Sequence, residues 1–155
     1  MVSIERIIQD SMDVKSLILK DANLIGKIQC AADACVASLK AGGKVHLCGN
    51  GGSAADAQHI AAELSGRFYY DRPPLNAEAL HVNTSYLTAV ANDYSYNLVY
   101  SRMIQAAAKK NDILIGISTS GNSENILNAF ATAREIGVTT IALTGESGGK
   151  MGQSC

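Results

Sequence analysis

Three short apolar runs in this 155-residue chain each end in a cluster of glycine and small polar residues, and that arrangement constrains the fold most. The runs are residues 44–48, 113–117 and 138–143. The clusters after them are G-N-G-G-S at 49–53, S-T-S-G-N-S at 118–123 and T-G-E-S-G-G at 144–149. Apolar runs of this length, alternating with stretches of helical spacing, predict a parallel sheet covered on both faces. In such a sheet ligands bind beyond the carboxyl ends of the strands, where all three clusters fall.

The intervening residues supply the rest of an α/β domain. The first 41 residues have helical periodicity, with Ile4, Ile7, Ile8, Ser11, Lys15 and Ile18 along one face. Ile25, Ile28, Ala32, Cys35, Val36 and Leu39 trace a second, and Gly42-Gly43 is a stop signal. Two helices before the first strand exceed what one small sheet needs. They serve either to pack against another subunit or as a plain intrachain layer. Further helices are expected at 53–64, 85–91, 96–108 and 124–136, a short strand at 79–82, and a loop at 68–76 holding both prolines. The reading is one domain over residues 1–155, of which 1–43 form the helical N-terminal segment. The chain stops at Cys155, where another crossover ought to begin. A further strand and helix are therefore expected outside these residues, or else a partner shields the sheet edge.

Composition narrows the function. Hydrophobic residues make up 47% and charged residues 17%, an ordinary globular balance. Net charge is −1 without basic runs, which argues against nucleic acid as the partner. No secretory signal and no apolar stretch of about 20 residues is present, so a cytoplasmic protein is expected, with no membrane partner. Cys30, Cys35, Cys48 and Cys155 form no CxxC pair and are expected to be free, mostly buried thiols.

The chemistry gathers at the clusters. Gly49-Asn50-Gly51-Gly52-Ser53 is either a tight turn capped by Ser53 or a place where the backbone approaches an anion at a helix start. A dinucleotide fingerprint fits it poorly, because Gly52 stays unexplained and the acidic residue about 20 positions on would be Asp71, in the proline loop. In Ser118-Thr119-Ser120-Gly121-Asn122-Ser123, a cap at Ser123 would leave three hydroxyls without purpose, whereas a phosphate would use all of them. His59 and Glu63 lie four apart on one helix face and could supply two metal ligands, or a ligand and a base. Alanines around them leave room beside the pair. Asn92-Asp93 could bind sugar hydroxyls or cap the next helix.

These motifs carry a resemblance. C-G-N-G-G-S-A-A-D-A-Q-H-I-A-A-E-L-S-G-R at 48–67, A-N-D at 91–93 and G-I-S-T-S-G-N-S at 116–123 resemble the phosphoheptose isomerases of the sugar isomerase (SIS) superfamily. The similarity runs from the N-terminal helices to the last residue. It implies a flavodoxin-like three-layer sandwich, a homotetramer with sites between subunits, and interconversion of sedoheptulose 7-phosphate and D-glycero-D-manno-heptose 7-phosphate for bacterial surface glycans. By position, Ser53, Ser118, Thr119, Ser120 and Ser123 match phosphate-binding residues. Asn50, Gly51, Gly52, Asn92 and Asp93 match other substrate contacts. His59 and Glu63 match zinc ligands, and Glu63 also matches an acid/base. The family's glutamine and histidine that complete the zinc site have no counterpart here, and Asn83 stands where relatives commonly carry aspartate. A non-enzyme of the same fold, the DnaA initiator-associating protein, lacks the glutamate at the position of Glu63, so the His59–Glu63 pair favours the enzyme. SIS modules that sense sugar phosphates usually carry an extra domain, and these residues contain none.

Overall fold

The computed structural model describes residues 3–154. The chain divides into a unit ending at Ala34 and a unit beginning at Cys35. In the first, α1 (Ile4–Lys20) is capped by Ser3, whose hydroxyl accepts from the Arg6 amide at 3.1 Å. Its apolar side chains stay open: Ile4, Ile7, Ile8 and Leu17 are all more than half exposed. Helix α2 (Ala22–Lys40) follows, and it runs on into the second unit. The second apolar face is largely exposed at Ile25, Ile28 and Val36, and the one buried residue of α2 is Ser38.

The second unit holds the sheet. Strands β1 (Val45–Gly49), β2 (Ala77–Ala79), β3 (Ile113–Ser118) and β4 (Thr139–Thr144) are all parallel, in the order β2-β1-β3-β4. This is the flavodoxin-like order, in which the winding direction reverses beside β1. Helix α3 (Gly52–Ser65) crosses from β1 to β2. Helices α4 (Thr84–Asp93) and α5 (Val99–Ala107) cross from β2 to β3, and α6 (Glu124–Ile136) from β3 to β4. Right-handed crossovers put α3 on one face of the sheet and α5 and α6 on the other, the sandwich expected. Strand β1 is buried along its whole length, whereas β4, at the edge, exposes Thr139 and Leu143.

Packing of the α6 face depends on Gly116. A Cβ there would come within 2.6 Å of Ile126 and 2.7 Å of Phe130, both fully buried. Helix α6 ends at Gly137, whose left-handed backbone (φ 86°) closes it. Asn83 caps α4 by accepting from the Tyr86 amide at 3.0 Å, which an asparagine does as well as an aspartate. Cys30, Cys35 and Cys48 are free; Cys48 is buried, but Cys30 is exposed, so the expectation of mostly buried thiols holds only in part. Cys155 lies outside the described residues. No helix among the described residues is long and apolar enough to cross a membrane.

At the amino ends of the strands lies a buried ionisable pair. His46 Nε2 is 3.2 Å from Asp112 Oδ2, and Asp112 also accepts the backbone amides of Lys44 and Lys109 at 2.9 Å. Burial holds His46 below the ordinary histidine value of 6.5 despite Asp112, and burial shifts His81 the same way. Unfolding lets these rings take up protons at their ordinary value. Their contribution to stability is therefore complete above 6.5 and is lost as pH falls below it. We expect the melting midpoint to drop between about pH 7.5 and pH 5.5. An unchanged midpoint over that range would contradict the assignment.

Candidate active site

The site forms where β1 and β3 lie side by side and the winding reverses. The first loop leaves β1 at Gly49, where a Cβ would collide with the Ser53 carbonyl. Gly51 takes a positive φ of 55° and starts α3 without a side-chain cap, so Ser53 is not the cap. Its hydroxyl makes no hydrogen bond among the described residues. A Cβ at Gly51 or Gly52 would meet nothing within 4 Å, so the space over this turn is open. The helix start thus faces outward with room for a ligand.

The second loop carries the hydroxyls. Ser123 opens α6, yet its side chain does not cap the helix; its Oγ lies 2.9 Å from Ser118 Oγ. Ser120 Oγ is 3.5 Å from Ser118 Oγ and accepts the Asn122 amide at 3.2 Å. Ser118 is buried, whereas Thr119 and Ser120 are exposed. Four of the five expected phosphate ligands therefore share one loop, and three of their hydroxyls adjoin. Such a cluster can donate to several oxygens of one phosphate with no lysine present.

The third cluster is not a separate site but the support for the second. Gly145 N donates to Thr119 O at 3.0 Å, Met151 N to Gly121 O at 2.9 Å, and Lys150 N to Asn122 Oδ1 at 3.0 Å. The approach is so close that a Cβ on Gly121 would collide with the Gly148 carbonyl, and one on Gly149 with the Ser120 carbonyl. Glycines here shape the serine loop from behind.

Polar side chains invisible as a motif tie the first two loops together. Asn50 Nδ2 donates to Asn125 Oδ1 at 3.0 Å, and Asn125 Nδ2 donates back to Asn50 Oδ1 at 2.9 Å. Tyr96 OH donates to Asn50 Oδ1 at 3.2 Å, and the buried Tyr100 hydroxyl donates to the Gly49 carbonyl. Of the partners of Asn50 and Gly49, only Asn125 left a trace in the sequence, as a polar residue in the buried stripe of Ile126, Ala129, Phe130 and Ala133.

The remaining expected groups lie on α4 and α3. Asn92 donates to Asp93 Oδ1 at 2.9 Å at the end of α4, and the next turn is capped by Ser95 instead, so this pair is not a cap. On α3, His59 Nε2 is 3.6 Å from Glu63 Oε1, with His59 exposed and Glu63 half-buried. The alanines that seemed to leave room beside them do something else at Ala57 and Ala61, which are buried where α3 packs on β1 and β2. Arg72 anchors the following loop by donating to the Glu63 and Leu64 carbonyls at 2.9 Å, where α3 leaves them unpaired. Ten residues of helix separate Ser53 from Glu63, about 15 Å at the usual rise. The structure therefore brings Asn50, Gly51, Gly52 and Ser53 beside the serine loop but carries Glu63 away from them.

The family model for the SIS domain matches residues 13–145. The chain belongs to the SIS domain family. Within this SIS family it is 53% identical to a phosphoheptose isomerase of Mycobacterium bovis over 149 residues, 96% of the chain and 76% of the relative. It is likewise 53% identical to one of Clostridium acetobutylicum over 152 residues, covering 98% of the chain and 78% of the relative. The SIS fold described above matches a solved phosphoheptose isomerase of Neisseria gonorrhoeae at a TM-score of 0.89 and 41% identity, covering 97% of this chain and 77% of that one. A Francisella tularensis phosphoheptose isomerase matches at a TM-score of 0.87 and 39% identity, over 99% and 81% of the two chains. With these relatives, the chain falls among the phosphoheptose isomerases of the SIS family.

Two donors, His59 and Glu63, fit part of a zinc site, which wants about four. No group of three or more histidine, cysteine, aspartate or glutamate side chains gathers among the described residues.

Proposed function

We propose that the chain interconverts sedoheptulose 7-phosphate and D-glycero-D-manno-heptose 7-phosphate in the cytoplasm, supplying heptose for bacterial lipopolysaccharide or related glycans. As a sugar-phosphate isomerase it moves a carbonyl between C1 and C2, taking a proton from one carbon and returning it to the other through an enediol. The adjoining hydroxyls of Ser118, Ser120 and Ser123 carry this reading, with Thr119 and Ser53 beside them as further phosphate donors. Asn50 and the open turn at Gly51 and Gly52 face the sugar, and Asn92 and Asp93 supply further contacts. Glu63 is the acid/base.

Glu63 lies about 15 Å along α3 from Ser53, a separation that suits a site whose carboxylate comes from another copy of the chain, as the resemblance to the phosphoheptose isomerases implies. That supports a homotetramer with sites between subunits, and the exposed apolar residues of α1 offer surface for such an assembly. His59 and Glu63 would hold zinc with ligands from other segments; when bound, the metal would stabilise negative charge on the substrate oxygens. An ionised Glu63 bound to metal is a weaker base, so the two roles compete.

The test is incubation of the intact protein with sedoheptulose 7-phosphate, followed by product analysis. Conversion to the aldose phosphate is expected, with loss of activity on chelation and recovery when zinc is restored. An intact protein that binds DnaA tightly and does not turn the sugar over would replace this reading with the adaptor one.

A further inference from the structure

The side-chain amide of Asn50 is almost fully committed within the protein, and this decides what it can offer a ligand. A carboxamide has two lone pairs and two N–H groups. Both lone pairs of Asn50 Oδ1 are taken, one by Asn125 Nδ2 at 2.9 Å and one by Tyr96 OH at 3.2 Å. One N–H is given to Asn125 Oδ1 at 3.0 Å, leaving a single N–H. Asn125 is 3% exposed, so its half of the pair is fixed, and it stands on α6 directly behind the serine loop. Tyr96 comes from the turn before α5 and donates to the oxygen side of the amide pair at 3.2 Å. A phenol can accept as well as donate, so its hydroxyl anchors the pair in place, and the orientation observed, with an N–H turned outward, is the one that suits an oxygen gaining negative charge.

We propose that Tyr96 and Asn125 are positioning residues that present the one remaining N–H of Asn50 to the sugar oxygens at C1 and C2. This rests on the isomerase reading above. Negative charge grows on those oxygens as the enediol forms, and a donor held in place there stabilises the transition state more than the bound sugar. The network also spans the loop of β1 and the first turn of α6, so the sugar donor and the phosphate cradle are set in one geometry.

The experiment is a kinetic cycle on the intact protein, with Tyr96→Phe made both in the natural sequence and in an Asn50→Ala background. Tyr96→Phe alone should lower kcat about tenfold, leaving KM and inhibition by inorganic phosphate unchanged. In the Asn50→Ala background the same change should have no further effect, because the group it positions is gone. Asn125→Asp, which keeps an acceptor but not the donor, should likewise lower kcat with phosphate inhibition retained. An equal loss from Tyr96→Phe in both backgrounds would make Tyr96 a structural residue and overturn the proposal. So would an unchanged kcat. If the natural protein itself fails to convert the sugar phosphate, the isomerase reading falls, and this inference falls with it.

Discussion

Replacing Glu63 with glutamine is expected to lower kcat by about 10²- to 10⁴-fold while leaving binding of inorganic phosphate unchanged. The substitution keeps the size of the side chain but removes its negative charge and its ability to take and return a proton, and makes it a weaker metal ligand. Glu63 is half-buried, and Arg72 holds its backbone carbonyl rather than its carboxylate, so the fold should survive. Glu63 lies about 15 Å along α3 from Ser53 and acts on the carbonyl end of the sugar rather than on its phosphate, so phosphate affinity should not move. Steady-state kinetics with phosphate as a competitive inhibitor separates the two effects. Normal turnover by Glu63→Gln would remove this residue from the chemistry.

Replacing Gly121 with alanine should do the reverse. Gly121 sits at φ +64°, where an L side chain costs about 1–2 kcal/mol, and its new Cβ would collide with the Gly148 carbonyl. The collision is with backbone, so relief requires the serine loop to part from the loop that backs it. Hydrogen bonds from Gly145 to Thr119 and from Met151 to Gly121 would then be lost or lengthened. We expect KM to rise by at least about tenfold and inhibition by phosphate to weaken by the same factor, because misplaced donors lose their shared target. Far-ultraviolet circular dichroism should stay unchanged. Retention of natural phosphate inhibition in Gly121→Ala would show that the loop does not hold the phosphate.

Much of the fold was legible from local signals. The α6 bounds expected from the sequence are those observed, because Ser123-Glu124 and Gly137 are strong start and stop signals. Strand β2 was misplaced by about two residues, since the apolar Leu80 and Val82 drew the expectation forward. The strand instead includes Glu78, whose carboxylate pairs with Lys44 beside it. The expected helix at 96–108 is broken into a short 3₁₀ turn and α5, which lets Tyr96 turn back to Asn50. The hydroxyl cluster was visible because one loop supplies it. The partners of Asn50 were not, since they lie 46 and 75 residues away and no spacing rule spans that distance. The His59–Glu63 contact was legible from helix geometry, but that geometry says nothing about which copy of the serine loop the pair serves.

The measurement that bears most directly on a site shared between copies is activity in mixed oligomers of the two variants above. Glu63→Gln, impaired in kcat, and Gly121→Ala, impaired in KM, would be unfolded together, refolded and assayed with sedoheptulose 7-phosphate well below the natural KM, where each is far less active than the natural protein. A shared site predicts that activity returns, because some sites then combine an intact serine loop from one protomer with an intact Glu63 from the other. Mixtures no more active than the separate variants, despite confirmed exchange of subunits, would contradict it.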